Sequence, residues 1–516
     1  MRLGRTWTVA LVGLTGHLVE VEAHRSPGLP AFTVVGLPDA SVNEARERVR
    51  SAVTASGLTW QSARRTVNLS PASLPKSGAG LDLALAVAVL VADDLPAADV
   101  AARTVHLGEL ALDGRVRPVR GVLPAVAAAV AAGRSDVVVP AANATEAALV
   151  PGARVRGVLH LAEVVRLYGG VAHVPDVTAM TTTRPGSPAA PRPGTGEDLG
   201  EVVGQDEARF AVEVAAAGGH HLLLMGAPGS GKTMLAARMP GLLPDLDDED
   251  AVEVTAVHSV AGTFDPVGGL LRRPPFEDPH HTATPAAVIG GGSGLPRPGA
   301  ASRAHRGVLF LDEAPEFSPR VLQTLRQPLE HGELVLHRAA GTARYPARFQ
   351  LVLAANPCPC GMAVGKGLRC TCTAVERRRY LGRLSGPLLD RIDMQVDVEP
   401  VTRAMLALAA APETTQVVGG RVAAARARQS TRLAGTPWRT NGEVPGAWLR
   451  GADSHLPDGV RRTLERALDR GSLSMRGVDR VLRVAWTLAD LEGRTRPSEA
   501  DVGTAIGLRT RGRTGA

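Results

Sequence analysis

Residues Gly226 to Thr233 read GAPGSGKT, a complete G-x-x-x-x-G-K-[ST] pattern, and the apolar run 222–225 (LLLM) leads straight into it. A strand, a glycine-rich loop and a helix in that order form a phosphate cradle. The loop Gly226, Ala227, Pro228, Gly229, Ser230 and Gly231 would turn its backbone N–H groups around the β-phosphate. Lys232 would reach the β/γ oxygens, and the Thr233 hydroxyl would ligate Mg²⁺. The cofactors expected are therefore ATP and Mg²⁺. Composition adds weight: among 58 Lys+Arg only Lys76, Lys232 and Lys366 are lysine. A lysine kept in so arginine-biased a chain sits where a compact ammonium is wanted rather than a planar fork.

About 75 residues further on, 307–313 reads GVLFLDE, a buried strand carrying Asp312 and Glu313 at its carboxyl end. In a parallel α/β sheet that end faces the ligand. Asp312 would hold Mg²⁺ through water and Glu313 would polarise the attacking water. Acidic residues there commonly only cap the next helix, but the phosphate loop upstream favours the catalytic reading. The next apolar strand, 349–356, ends in Asn356, whose amide could orient the lytic water. Arg391, in GPLLDRID (386–393), and Arg476, in SMRGVDRVLR (474–483), lie beyond the core. An oligomeric ATPase needs one arginine acting in trans as a finger on a neighbour's ATP and another in cis as a sensor. Spacing alone assigns neither role.

The four cysteines, Cys358, Cys360, Cys370 and Cys372, fall in two C-x-C pairs. Two such turns can supply four thiolates to a structural Zn²⁺ site. Reduced thiols without metal and redox pairing are the alternatives.

These groups need elements to position them. A length of 516 residues suggests roughly three domains. Residues 1–172 mix strand-like and helix-like segments, with 83–92 (LALAVAVLVA) reading as a buried helix. A Pro/Thr/Gly/Ser-rich linker spans 173–196, the nucleotide-binding core 197–400, and a helical region 401–516. The segments 333–339 and 342–347 read as a β-hairpin around Ala340-Gly341. No apolar run reaches the ~18–20 residues of a spanning helix, so the expectation is a cytoplasmic protein without membrane contact. Net charge is +7, and residues 417–516 carry 18 Arg against 10 Asp+Glu. That excess permits a polyanionic partner, but it also suits a solvated helical surface. Aromatics are 3% of residues, so nucleic-acid contact would run to phosphate rather than through base stacking.

The stretch from Gly204 to about Gly493 resembles the magnesium-chelatase-type AAA+ ATPases, specifically the YifB/ComM family of helicase-like proteins. The segments that carry the likeness are VVGQDEARFAVEVAAAGGHHLLLMGAPGSGKT, the PHH…GGGS…RPG run at 279–299, AHRGVLFLDE, LRQPLEHGELVLHRAAGT, ANPCPCG, YLGRLSGPLLDRID and DRVLRVAWTLADLEG. The resemblance implies an α/β fold: an AAA+ P-loop core of parallel sheet and helices, a helical C-terminal lid and a hexameric ring. It implies that Arg391 is the finger, that Arg476 is sensor 2 and that Gln205 lies near the adenine. In related rings the insert 257–305 and the hairpin point into the pore, where His337, Arg338 and Arg344 could grip phosphates, or could simply be solvated. Where the family has Glu after the PG of the first insert, this chain has Ala300.

Residues 69–90 and 106–133 resemble the proteolytic domain of Lon-type proteases, an α+β fold. A Ser–Lys dyad cannot be built, however. Ala79 or Gly80 stands near the nucleophile position, Ser77 is two residues early, and Leu123 replaces the lysine. Proteolysis is rejected, and the domain is expected to serve assembly or a protein partner. The leading expectation is an ATP-driven motor on DNA, with a chelatase-like protein remodeller as the alternative.

Overall fold

A computed structural model describes residues 2–36, 40–76, 78–174, 197–292, 296–338, 341–363, 369–384, 386–408, 411–451 and 456–510. All but the first two positions of the expected linker, together with Ser77, Ala340 and Lys366, lie outside the described residues.

The N-terminal region is built on a seven-stranded sheet. Its first two strands, Arg2–Val12 and Thr15–Ser26, form a long antiparallel hairpin that turns at Gly13, where φ is +66°. Helix Asp82–Ala92 buries every residue, its apolar run 83–92 as that sequence requires and Asp82 in a pair with Arg48 at 2.6 Å. The approach is close: a Cβ on Gly4 would stand 2.1 Å from the Ala88 carbonyl oxygen.

The core sheet has five strands, all parallel, in the order Phe276–Glu277, Val308–Leu311, Gln350–Ala355, Leu222–Met225, Met394–Asp397. The strands VLFL and QLVLAA are buried throughout, the near-continuous apolar runs that a sheet covered on both faces demands. The strand leading into the phosphate loop sits between the strand ending near Asn356 and the edge strand Met394–Asp397, so loop and polar strand tips share one edge of the sheet. Helix Asp206–Gly218 ends at Gly219 in the left-handed conformation, a C-cap that a Cβ would oppose.

Two short hairpins emerge from this core. One pairs Gly290–Gly291 with Arg297–Pro298; the other pairs Glu333–Arg338 with Gly341–Pro346. They touch each other, the Tyr345 hydroxyl donating to the Pro296 carbonyl. Both lean on the N-terminal region. Leu14 and Val260 pack on Leu336, Ala343 and Tyr345, and helix Val122–Ala131 lies on helix Asp248–Ala261. Glu146 reinforces that contact by accepting from Ser259 Oγ.

The C-terminal helices, among them Thr415–Arg432, Met475–Leu491 and Glu499–Thr510, share one hydrophobic core with the sheet. Several of their arginines are engaged inside the molecule. Arg432 bonds both carboxylate oxygens of buried Asp490 at 2.5 and 2.7 Å. Arg421 bridges Glu213 and Glu413, Arg494 grips Asp501, and Arg480 reaches Asp393. The positive excess of 417–516 is thus partly a set of internal ties, while Arg461, Arg462, Arg466 and Arg470 around helix Asp458–Asp469 are exposed and have no carboxylate partner among the described residues. Among the described residues no helix is long and apolar enough to cross a membrane.

Candidate nucleotide site and its surroundings

The phosphate loop is shaped by positions that only glycine fills comfortably. Gly229 and Gly231 have φ of +75° and +93°. A Cβ on Gly226 would stand 2.3 Å from the Val398 carbonyl oxygen. Helix Lys232–Leu242 starts at Gly231, so its free N–H groups point into the loop. The Lys232 ammonium donates to the Gly226 and Ala227 carbonyls, both at 2.9 Å, and to Asn356 Oδ1 at 3.2 Å. Burial pushes its pKa down, while Asp312 and Glu313 pull it back up. Thr233 Oγ1 donates to Asp312 Oδ2 at 2.7 Å, bringing the two expected Mg²⁺ ligands together. The other Asp312 oxygen accepts from the Glu313 N–H at 2.8 Å.

Glu313 occupies the left-handed region, with φ of +50°, a conformation that costs a non-glycine residue. Its exposed carboxylate turns to His281, whose Nδ1 lies 3.3 Å away. The sequence offered only the PHH run as a pointer to that histidine and assigned it no role. Gln205 donates to the Ser230 and Glu399 carbonyls at the mouth of the loop. Two polar atoms in this cradle, Ser230 Oγ and Gln205 Oε1, are buried with no hydrogen-bond partner. Buried polar atoms normally find partners. A nucleotide phosphate with its Mg²⁺ fits the donors, the Ser230 hydroxyl and the Thr233–Asp312 pair, while Gln205 Oε1, an acceptor, would need a donor such as a base amino group.

Arg391 and Arg476 are placed elsewhere. Both line a cleft of about 790 Å³ with Glu330, Asp390, Arg480 and Arg483, and no phosphate-loop residue lines it. Arg391 pairs with Glu330, and burial plus neighbouring arginines lower its pKa. Arg476, largely exposed, reaches Asp390 at 3.3 Å. The expectation of Arg476 acting in cis therefore finds no contact with its own phosphate loop; the two arginines share one face of the molecule.

The four cysteine sulfurs lie within 4.8 Å of one another. Backbone amides of Met362 and Thr371 donate to Cys360 and hold its thiol down, at about 6.

At the hairpins, Arg344 pairs with Glu333 at 3.0 Å and His337 with Thr342 at 2.9 Å. Arg338 lies against Gly291, across the ladder from Arg297. Arg120, from the N-terminal region, borders Gly262, and burial with nearby Arg297 depresses its pKa. Among the described residues none of Arg120, Arg297 and Arg338 has a carboxylate partner. Sequence reasoning passed over Arg120 and Arg297, because only the tertiary fold brings them to the hairpin. In the N-terminal region Lys76 is fully buried and donates to the Pro71 carbonyl, while Leu123 is buried in a hydrophobic cluster.

Three family descriptions cover most of the chain: "Magnesium chelatase, subunit ChlI" over residues 198–406, "Subunit ChlI of Mg-chelatase" over 21–143, and "Magnesium chelatase, subunit ChlI C-terminal" over 412–509. An uncharacterized protein of Mycobacterium tuberculosis is 53% identical, over 99% of each chain. YifB of Escherichia coli, also uncharacterized, is 40% identical over 95% of this chain and 94% of its own. Competence protein ComM of Haemophilus influenzae is 39% identical over 99% and 98%.

Proposed function

The chain belongs to the YifB/ComM family of magnesium-chelatase-like proteins with an AAA+-type ATPase core, and from that premise we propose that it is a ring motor moving on DNA, acting in branch migration during recombination or uptake of foreign DNA. Lys232 and the loop Gly226–Thr233 hold the triphosphate. Thr233 and Asp312 would hold Mg²⁺, which would supply charge neutralisation to the transferring phosphate when bound. Glu313 takes the proton-accepting side of the attacking water, and Asn356, hydrogen-bonded to Lys232, fixes the water's position. The placement of Arg391 and Arg476 on a cleft away from their own loop supports both acting in trans, on the ATP of the next subunit, with a hexamer as the expected closed ring.

The observation that carries the DNA reading is the group Arg120, Arg297 and Arg338, three arginines with no carboxylate partner among the described residues, where two hairpins meet the N-terminal region. Such a group suits a phosphate backbone, which is contacted by charge and not by sequence. The likeness to a competence protein points the same way.

ATP hydrolysis measured with and without single-stranded and branched DNA, at low and moderate salt, tests this. Stimulation that fades steeply with salt is expected. Intact Mg²⁺-dependent hydrolysis that ignores DNA would replace the DNA motor by a protein remodeller. Glu313→Gln should retain ATP and lose turnover; turnover at the parent rate would remove Glu313 from its role.

A further inference from the structure

The four cysteines sit at the foot of the phosphate loop, and we propose that they bind a single Zn²⁺ whose task is to brace that loop from behind. A tetrahedral Zn²⁺ with Zn–S bonds of about 2.3 Å sets its sulfurs about 3.8 Å apart. Cys358 Sγ lies 3.4 Å from Cys360 Sγ and 3.7 Å from Cys370 Sγ, and Cys360 and Cys370 are 3.8 Å apart. None of the four is in a disulfide. Backbone N–H groups of Met362 and Thr371 aim at Cys360, and that of Ala363 at Cys358. Four sulfurs gathered within 4.8 Å, none bonded to another, can all reach one tetrahedral ion.

The surroundings give the ion its job. Gly361, directly after Cys360, has φ of +74°, and a Cβ there would stand 2.4 Å from Pro228 Cδ. The first cysteine turn therefore lies flat on the phosphate loop. Two residues before Cys358, Asn356 accepts from Lys232. After Cys372, Thr373 and Glu376 form a capping box that opens helix Ala374–Gly382. That helix is anchored by buried Tyr380, and the adjoining Arg383 bonds Glu316 at 3.0 Å, three residues past Glu313. One ion would thus fasten together the back of the phosphate loop, the tip carrying Asn356 and the helix behind Glu313.

The bracing half rests on reading Gly226–Thr233 as the nucleotide loop; the metal half does not, and two readouts keep them apart. Elemental analysis of the full-length protein, purified without added metal, should give one zinc per chain. Iron in its place, or no metal with four titratable thiols, overturns the zinc site. Cys358→Ser with Cys360→Ser should lose the zinc. Should that variant fail to fold, Co²⁺ alone added to chelator-stripped parent protein decides: thiolate-to-cobalt charge transfer with tetrahedral d–d bands is expected, and their absence overturns the site. Gly361→Ala should keep its zinc yet weaken binding of a non-hydrolysable ATP analogue roughly tenfold, the scale of a lost supporting contact. Unchanged affinity would overturn the bracing role. None of these measurements depends on DNA.

Discussion

In the C-terminal helices arginine is mortar: Arg432 on Asp490, Arg494 on Asp501 and Arg421 between two glutamates each close a carboxylate that the fold has buried or half-buried. Where the hairpins meet the N-terminal sheet, Arg120, Arg297 and Arg338 face no carboxylate among the described residues. The first region carries the larger formal excess, divided between tied arginines and the exposed Arg461, Arg462, Arg466 and Arg470; the second is a small set with none tied to a carboxylate. Counting charge along a sequence locates the excess but not the field, because a paired guanidinium presents little of its charge to a partner.

Arg391 joins both kinds, paired with Glu330 yet lining an open cleft, and it gives the sharpest test. Arg391→Ala should keep ATP binding and lower kcat about 10³-fold, the scale of an arginine finger. Mixing it with Lys232→Ala subunits should restore part of the rate; no rescue would argue for a role in cis. Arg432→Ala should destabilise the protein by about 3 kcal/mol in urea unfolding, because Asp490, 1% exposed, loses its charge partner. A loss near zero would break the description of the C-terminal arginines as ties.

Arginine stays charged across the working pH range, whereas histidines packed into the N-terminal sheet and the nucleotide-binding core do not. Burial holds His106 down at about 3 and His221 at about 4. Between pH 6.5 and those values the unfolded chain takes up protons that the folded chain refuses, so stability falls as pH falls. From pH 7 to pH 5, His106 alone should cost about 2 kcal/mol, read as a drop in melting temperature. A melting temperature flat over that range would contradict the buried, neutral state. The smallest effect belongs to the free set. Arg338→Ala should leave the melting temperature in place and reduce the salt slope of DNA binding by about 1. An unchanged slope would remove Arg338 from the DNA path.

What the sequence made legible was contiguous. The phosphate loop, Asp312–Glu313, Asn356 and the C-x-C pairs are each a few residues long, and their coming together follows from spacing that the backbone enforces. The buried helix at 82–92 was legible for the same reason, since an unbroken apolar run leaves no exposed face. What stayed hidden depends on chain segments distant in sequence. His281 reaches Glu313 across 32 positions, Arg120 meets Arg297 across 177, and Gly361 meets Pro228 across 133. The side on which Arg476 sits was hidden too. A helix start reads the same whichever face of the sheet the helix is packed on.

The turn at Gly13 lies so close to Arg344 that a Cβ there would stand 2.6 Å from the Arg344 carbonyl oxygen. With Leu14 packed beside it, the hairpin Glu333–Pro346 is less a free finger than the short arm of a rocker, its long arm the seven-stranded N-terminal sheet. Any change in the hairpin's angle would have to carry the Gly13 turn with it.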